Sequence, residues 1–210
     1  MTVDEFTRSR PYLYHLTHRD NIPSILNEQR LESASVLTGR VQHPDRELFL
    51  QQRRAENVVI GNNGQSFVIR DQAQIKEAAL RRALIDGCTV EKFINLLNSK
   101  VFFWPTLADV AKHFGTYSAE RPRVLRFNTA EVFALNEAPR FCRFNSGATR
   151  PHPYYGGNAA PRGLNSFVLA GNFDYIPSKV REVTFSQFCV LPESYWIAGD
   201  PAQEFVQPNP

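Results

Sequence analysis

Tyr14-His15-Leu16-Thr17-His18-Arg19-Asp20-Asn21-Ile22-Pro23-Ser24-Ile25-Leu26 reads as an apolar strand that ends in a polar cluster and passes at once into a helix. Asp20 and Asn21 are of the type that caps a helix, and Pro23 suits a first turn, where a missing N–H costs nothing. Ile22, Ile25 and Leu26 then supply an apolar face. A His and a Thr at a strand end, beside free helical N–H groups, make a place to hold a polar ligand. By spacing alone the cluster reads first as a structural His beside an ordinary cap.

Outward from this stretch, strands and helices interleave. Residues 31–46 read as a loop, and 47–57 as a helix carrying Arg53 and Arg54. Residues 58–60 and 67–70 form a hairpin around the turn signal Gly61-Asn62-Asn63-Gly64. Asp71 is expected to cap a helix over 72–86 stopped by Gly87, and Thr89 one running to Asn98. Lys100-Val101-Phe102-Phe103-Trp104 is a buried-strand run closed by Pro105, and 106–114 is helical with Thr106 and Asp109 at capping-box-like spacing. Strands are expected at 123–127, 141–144, 166–170 and 180–191, with a polar loop over 145–165. The order predicts one α+β domain over 1–198 and a mobile tail over 199–210.

Composition bounds the rest. The chain has 210 residues and 16 Phe, enough for one well-filled core. No apolar run approaches the ~18 residues that span a bilayer, and the acidic start lacks a signal-peptide core, so a cytoplasmic protein with no membrane partner is expected. Cys88, Cys142 and Cys189 are scattered and read as reduced core residues, and the five His have no metal-site spacing, so no metal is expected. A net charge of +3 is compatible with a nucleic-acid partner without demanding one.

The 12–31 segment resembles the first strand and helix of the DarT-type nucleic-acid ADP-ribosyltransferases, which carry a similar His-x-Thr-His-x-x-Asn-(Leu/Ile) pattern. The resemblance implies a split β-sheet core of the ADP-ribosyltransferase type, with helices inserted in the first half. It also implies NAD as substrate, a base of RNA or DNA as acceptor, and a toxin or phage-defence role with an antitoxin as possible partner. It assigns His15, the adjoining Leu16 backbone, Thr17 and Asn21 to NAD, leaving His18 between a site role and leading into the helix. Arg54 falls where the family carries a phosphate-contacting Arg, with Arg53 as the competing register; a guanidinium suits a pyrophosphate. Phe103 is the expected ring beside nicotinamide, with Tyr117 a second candidate.

One departure stands out. The family opens a late strand with a catalytic Glu in a Glu-Phe-Leu-Val context, and the matching segment, Leu164-Asn165-Ser166-Phe167-Val168-Leu169, has Ser166 there. That alignment puts Ser166 and Asn165 beside Arg54 as catalytic candidates, although a Ser is no general base near neutral pH. Asp174 and Glu182 are the carboxylates that could replace the Glu. The loop before that strand offers Asn145, Ser146, Arg150, Tyr154, Tyr155 and Arg162, the ingredients of a surface that holds a phosphate and stacks a base. Two alternatives stay open: a tRNA 2′-phosphotransferase-like enzyme, which shares the fold and lacks the Glu, and an inactive nucleotide-binding domain. Arg70-Asp71-Gln72 reads as a strand end and a cap.

Overall fold

Alternation places Leu13 in one core and Tyr14 and Leu16 in another, so the first strand is buried on both faces. The computed structural model describes residues 1–62 and 64–208. In chain order its helices and strands begin α1 (Val3–Ser9), β1 (Tyr12–Thr17), α2 (Ile22–Glu28), β2 (Arg30–Glu32), α3 (Ala34–Arg40) and α4 (Arg46–Gln51). They continue β3 (Val58–Asn62), β4 (Gln65–Ile69), α5 (Glu77–Ala83), α6 (Val90–Asn98), β5 (Lys100–Phe103), α7 (Leu107–Tyr117) and β6 (Arg123–Asn128). The remainder are α8 (Thr129–Leu135), β7 (Arg140–Cys142), β8 (Val168–Leu169), β9 (Glu182–Ser186), β10 (Phe188–Val190) and β11 (Trp196–Ala198). The fold is α+β, with several small antiparallel sheets.

Two of those sheets position everything that follows. One has the order β1-β6-β11 and the other β5-β9-β7-β8. Among the described residues their backbones pair at one bridge, where Tyr14 and Trp104 exchange both main-chain hydrogen bonds, at 2.9 and 2.8 Å. A core of Phe6, Leu13, Phe103, Phe127, Phe141 and Phe185 fills the space beneath both. Among the described residues no helix is long and apolar enough to cross a membrane.

Where local signals were strong, elements fall as the sequence predicts. Thr89 accepts the Lys92 N–H and Thr106 the Asp109 N–H, capping α6 and α7. The β3–β4 hairpin forms, its turn residue Asn63 lying outside the described residues. Elsewhere long-range partners decide. The expected loop over 31–46 holds β2, paired with β10, and α3, capped by Ser33. The expected strand over 180–191 breaks at Gln187, whose positive φ of 68° turns the chain from β9 into β10. The helix expected over 72–86 shrinks to α5, because Thr149 takes the Gln74 carbonyl and the Lys76 N–H at one end and the Arg162 backbone pairs with Ala83 and Ile85 at the other. The segment after 198 is not a loose tail: Val206 bridges back to Ile197, and the Phe205 ring packs on Tyr14. Residues 209–210 of that expectation lie outside the described ones.

Candidate active site

His15 sits where the two sheets part. Continuing the antiparallel register past Tyr14 and Trp104 would set Leu16 opposite Phe102. Instead the His15 ring takes that place, its Nδ1 lying 2.8 Å from the Phe102 carbonyl oxygen. A carbonyl only accepts, so Nδ1 carries the proton and Nε2 is left as an acceptor. Burial, with the Arg70 charge nearby, pushes the ring down to about 4, so it is neutral near pH 7. Beyond the parting point Leu16 turns its N–H and C=O to the edge that β5 has vacated, and no described backbone group pairs with them.

The recess beside His15, Thr17 and Asn21 is small, ≈ 50 Å³, room for only a few waters. Its far wall is Glu28 and Glu32, held by Arg30 and Arg40 at 2.6–3.0 Å. A dinucleotide is too large to fit inside it, and the two carboxylates of that wall are already paired with the two arginines.

Thr17 and Asn21, expected ligand contacts, are committed to the fold. The Asn21 side chain donates to Val68 O and accepts from Val68 N, at 3.0 and 2.8 Å, and also donates to Thr17 Oγ1. It ties the β3–β4 hairpin to the end of β1 and makes no capping bond to α2; His18 instead caps the short turn Arg19–Asn21 that leads into α2, accepting the Asp20 N–H. We expect Asn21→Ala to cost about 2 kcal/mol, read as a lower urea midpoint, with faster amide exchange confined to that hairpin.

Arg54 lies beyond the helix expected to carry it. α4 stops at Gln51, because Gln72 captures the Arg54 backbone: its amide oxygen accepts Arg54 N–H, and its own N–H donates to Arg54 O. That places the Arg54 guanidinium over the Phe49 ring, with Nε 3.0 Å from the Arg70 carbonyl. Burial draws it down to about 10, still charged at neutral pH. Arg53 reaches toward the Gln72 carbonyl instead. The guanidinium of Arg70 stacks on Tyr117 at 4.3 Å, and Tyr117 donates to Asp71 Oδ1. His113, one helical turn before Tyr117, stacks on Trp104 with centroids 4.6 Å apart. Burial and the charge of Arg70 push it down to about 4 as well.

Arg70, Trp104 and His113 were missed as site residues. Their signal was faint: a His four residues before a Tyr on one helix face, and a charged pair at a strand end. Phe103 is corrected, being fully buried in the core, whereas Phe102 and Trp104 point to the opposite face and keep an exposed edge. Tyr117 is itself buried, but its hydroxyl faces the Arg70–Asp71 cluster.

The Ser166 alignment is also corrected. Ser166 lies in a short turn before β8, the far edge of its sheet, and its hydroxyl accepts the Gly163 N–H at 2.9 Å; Asn165 is exposed beside it. The carboxylate at the start of the strand adjoining β5 is Glu182, in Glu182-Val183-Thr184-Phe185. It is 3 % exposed, accepts the Ser146 N–H on Oε1, and leaves Oε2 without a partner. Burial raises it to about 7 against the pull of Ser146 and Arg162. Asp174 lies elsewhere, on a groove with α1.

Of the loop residues, Asn145, Arg150 and Tyr154 are exposed, and the half-buried Tyr155 accepts from Arg143. Ser146 and Arg162 are corrected: both are inside. Arg162 Nη1 bonds the Ser146 and Ala148 carbonyls and Nε that of Ala160, which folds the loop inward. Cys142 and Cys189 are buried, while Cys88 is partly exposed near Leu164. Among the described residues no three His, Cys, Asp or Glu side chains gather as a metal set would require.

No curated protein matches this chain. Residues 11–190 match the model of a family of unknown function, DUF7002, and the chain belongs to that family.

Proposed function

We propose that this protein is an NAD-dependent ADP-ribosyltransferase that modifies a base of RNA or DNA, with a split-sheet transferase core, acting as a toxin or in phage defence. The observation that carries the reading is His15 at the parting of β1 and β5, with the unpaired Leu16 edge beside it. A free N–H and C=O on one residue suit a carboxamide, which donates and accepts. Neutral His15, presenting Nε2, suits a ribose hydroxyl. Phe102 and Trp104 offer partly exposed rings, and Arg54 a cation for the pyrophosphate.

Glu182 supports the same chemistry. Departure of nicotinamide breaks the bond to ribose C1′ and leaves oxocarbenium character there. An incoming base nitrogen forms the new bond from the opposite face and gives its proton to solvent or a carboxylate. A preorganised carboxylate beside that carbon stabilises the charge, and an approaching cation favours ionisation of a group poised near 7.

The test is mass spectrometry of RNA, DNA and protein pools incubated with the protein and isotopically labelled NAD. A labelled ADP-ribose adduct on a nucleic acid, abolished by Arg54→Ala, is expected. Free nicotinamide without an adduct would mean a hydrolase. No NAD consumption in any pool would overturn the reading in favour of a phosphotransferase-like or binding role.

A further inference from the structure

Arg54 and Arg70 form a connected pair of half-buried cations. Arg54 Nε donates to the Arg70 main-chain carbonyl at 3.0 Å, so the Arg54 guanidinium lies against the backbone from which the Arg70 side chain departs. Arg54 Nη1 and Arg70 Nε and Nη2 are all shut off from solvent, and no described acceptor reaches them. Asp71, whose charge acts on both, is already used by the Ala73 N–H at 2.7 Å and the Tyr117 hydroxyl at 3.3 Å. Among the described residues Arg70 has one ion-pair partner, Glu120, whose Oε2 lies 3.1 Å from Nη1 and whose side chain is 31 % exposed.

Buried donors on native cations are satisfied as a rule, so three without acceptors on adjoining arginines call for an anion. Guanidinium forks match phosphate oxygens bidentately, and two of them match a diphosphate better than a single phosphate. We propose that Arg70 is a second diphosphate-holding residue beside Arg54, and that Glu120 is a latch occupying Arg70 until the diphosphate displaces it. Glu120 suits displacement: it follows α7 in a single short turn, and it contacts Arg70 through one oxygen. The choice of a dinucleotide as the natural ligand rests on the transferase reading; the anion site itself does not.

The experiment is titration calorimetry with inorganic pyrophosphate, ADP-ribose and nicotinamide on the wild type, Arg70→Gln and Glu120→Gln. Arg70→Gln is expected to weaken pyrophosphate and ADP-ribose at least tenfold and leave nicotinamide unchanged. Glu120→Gln, which keeps the half-buried arginine and removes only its competitor, is expected to tighten both phosphorylated ligands severalfold. Wild-type affinity in Arg70→Gln, or weaker binding in Glu120→Gln, would overturn the proposal. Pyrophosphate binding with the expected pattern but no NAD consumption would leave the anion site standing and sink the transferase reading. NAD consumption with no response to Glu120→Gln would do the reverse.

Discussion

Glu182→Gln is expected to abolish NAD turnover while making the protein more stable above pH 7. The two effects share one cause, a carboxyl group buried with Oε2 unpartnered and raised to about 7. A folded-state value above the unfolded 4.5 means that the native protein holds a proton which the unfolded chain has lost. Stability from this group is therefore complete below about 4.5 and lost as pH rises through 7, a loss of about 3 kcal/mol. Glutamine keeps an oxygen for the Ser146 N–H and has no charge to bury, so its stability stays flat across that window. Turnover should fall at least 100-fold, as when a main electrostatic stabiliser is removed, and the wild-type rate should climb with pH through about 7.

His15 and His113 act in the opposite sense. Both are pushed down to about 4, so their contribution is complete above 6.5 and lost as pH falls toward 4. Two imidazoles outweigh one carboxyl on the acid side, which puts the stability maximum near pH 7. Urea midpoints at pH 5, 6.5 and 8 for wild type and Glu182→Gln check both signs. A glutamine variant less stable than wild type at pH 8 would mean that the ionised carboxylate is well paired after all; undiminished turnover would remove Glu182 from the mechanism.

These groups show which features a linear reading reaches. The strand–helix unit at 12–28, the 58–69 hairpin and the Thr89 and Thr106 caps are set by neighbours within a few residues, and they appear where patterning predicts. Glu182 enters the sequence reading only as a substitute beside Asp174, because a local likeness, Phe167-Val168-Leu169, matches the family pattern where the deciding fact is which strand lies beside β5. Three consecutive aromatics at 102–104 hide which parity faces the core, so Phe103 was chosen for a surface that Phe102 and Trp104 occupy. Arg54 is displaced from its expected helix by Gln72, 18 residues away, which no periodicity encodes.

Arg162→Ala is expected to open the loop over 145–165 and to cost about 3–5 kcal/mol, as loss of one member of a buried charged network does. Sequence composition reads Arg162 as a surface cation, yet it is 2 % exposed, lies over the Phe144 ring and donates to three carbonyls. Truncation leaves those carbonyls inside without donors. Lysine should not rescue it, because an ammonium on a flexible stem cannot span three acceptors as the guanidinium fork does. Amide exchange should quicken over 145–165 and spare β1 and β6, and chymotrypsin should cut more readily after Tyr155, which precedes Gly156. The effect reaches Glu182 as well: Arg162 fixes the Ser146 carbonyl whose residue supplies the N–H to Glu182, and its charge holds that carboxyl down. The surviving turnover of a milder variant, Arg162→Gln, should therefore rise at higher pH than that of the wild type. An Arg162→Ala protein with wild-type midpoint and protection would mean that contacts of the loop other than these hold it against the sheet.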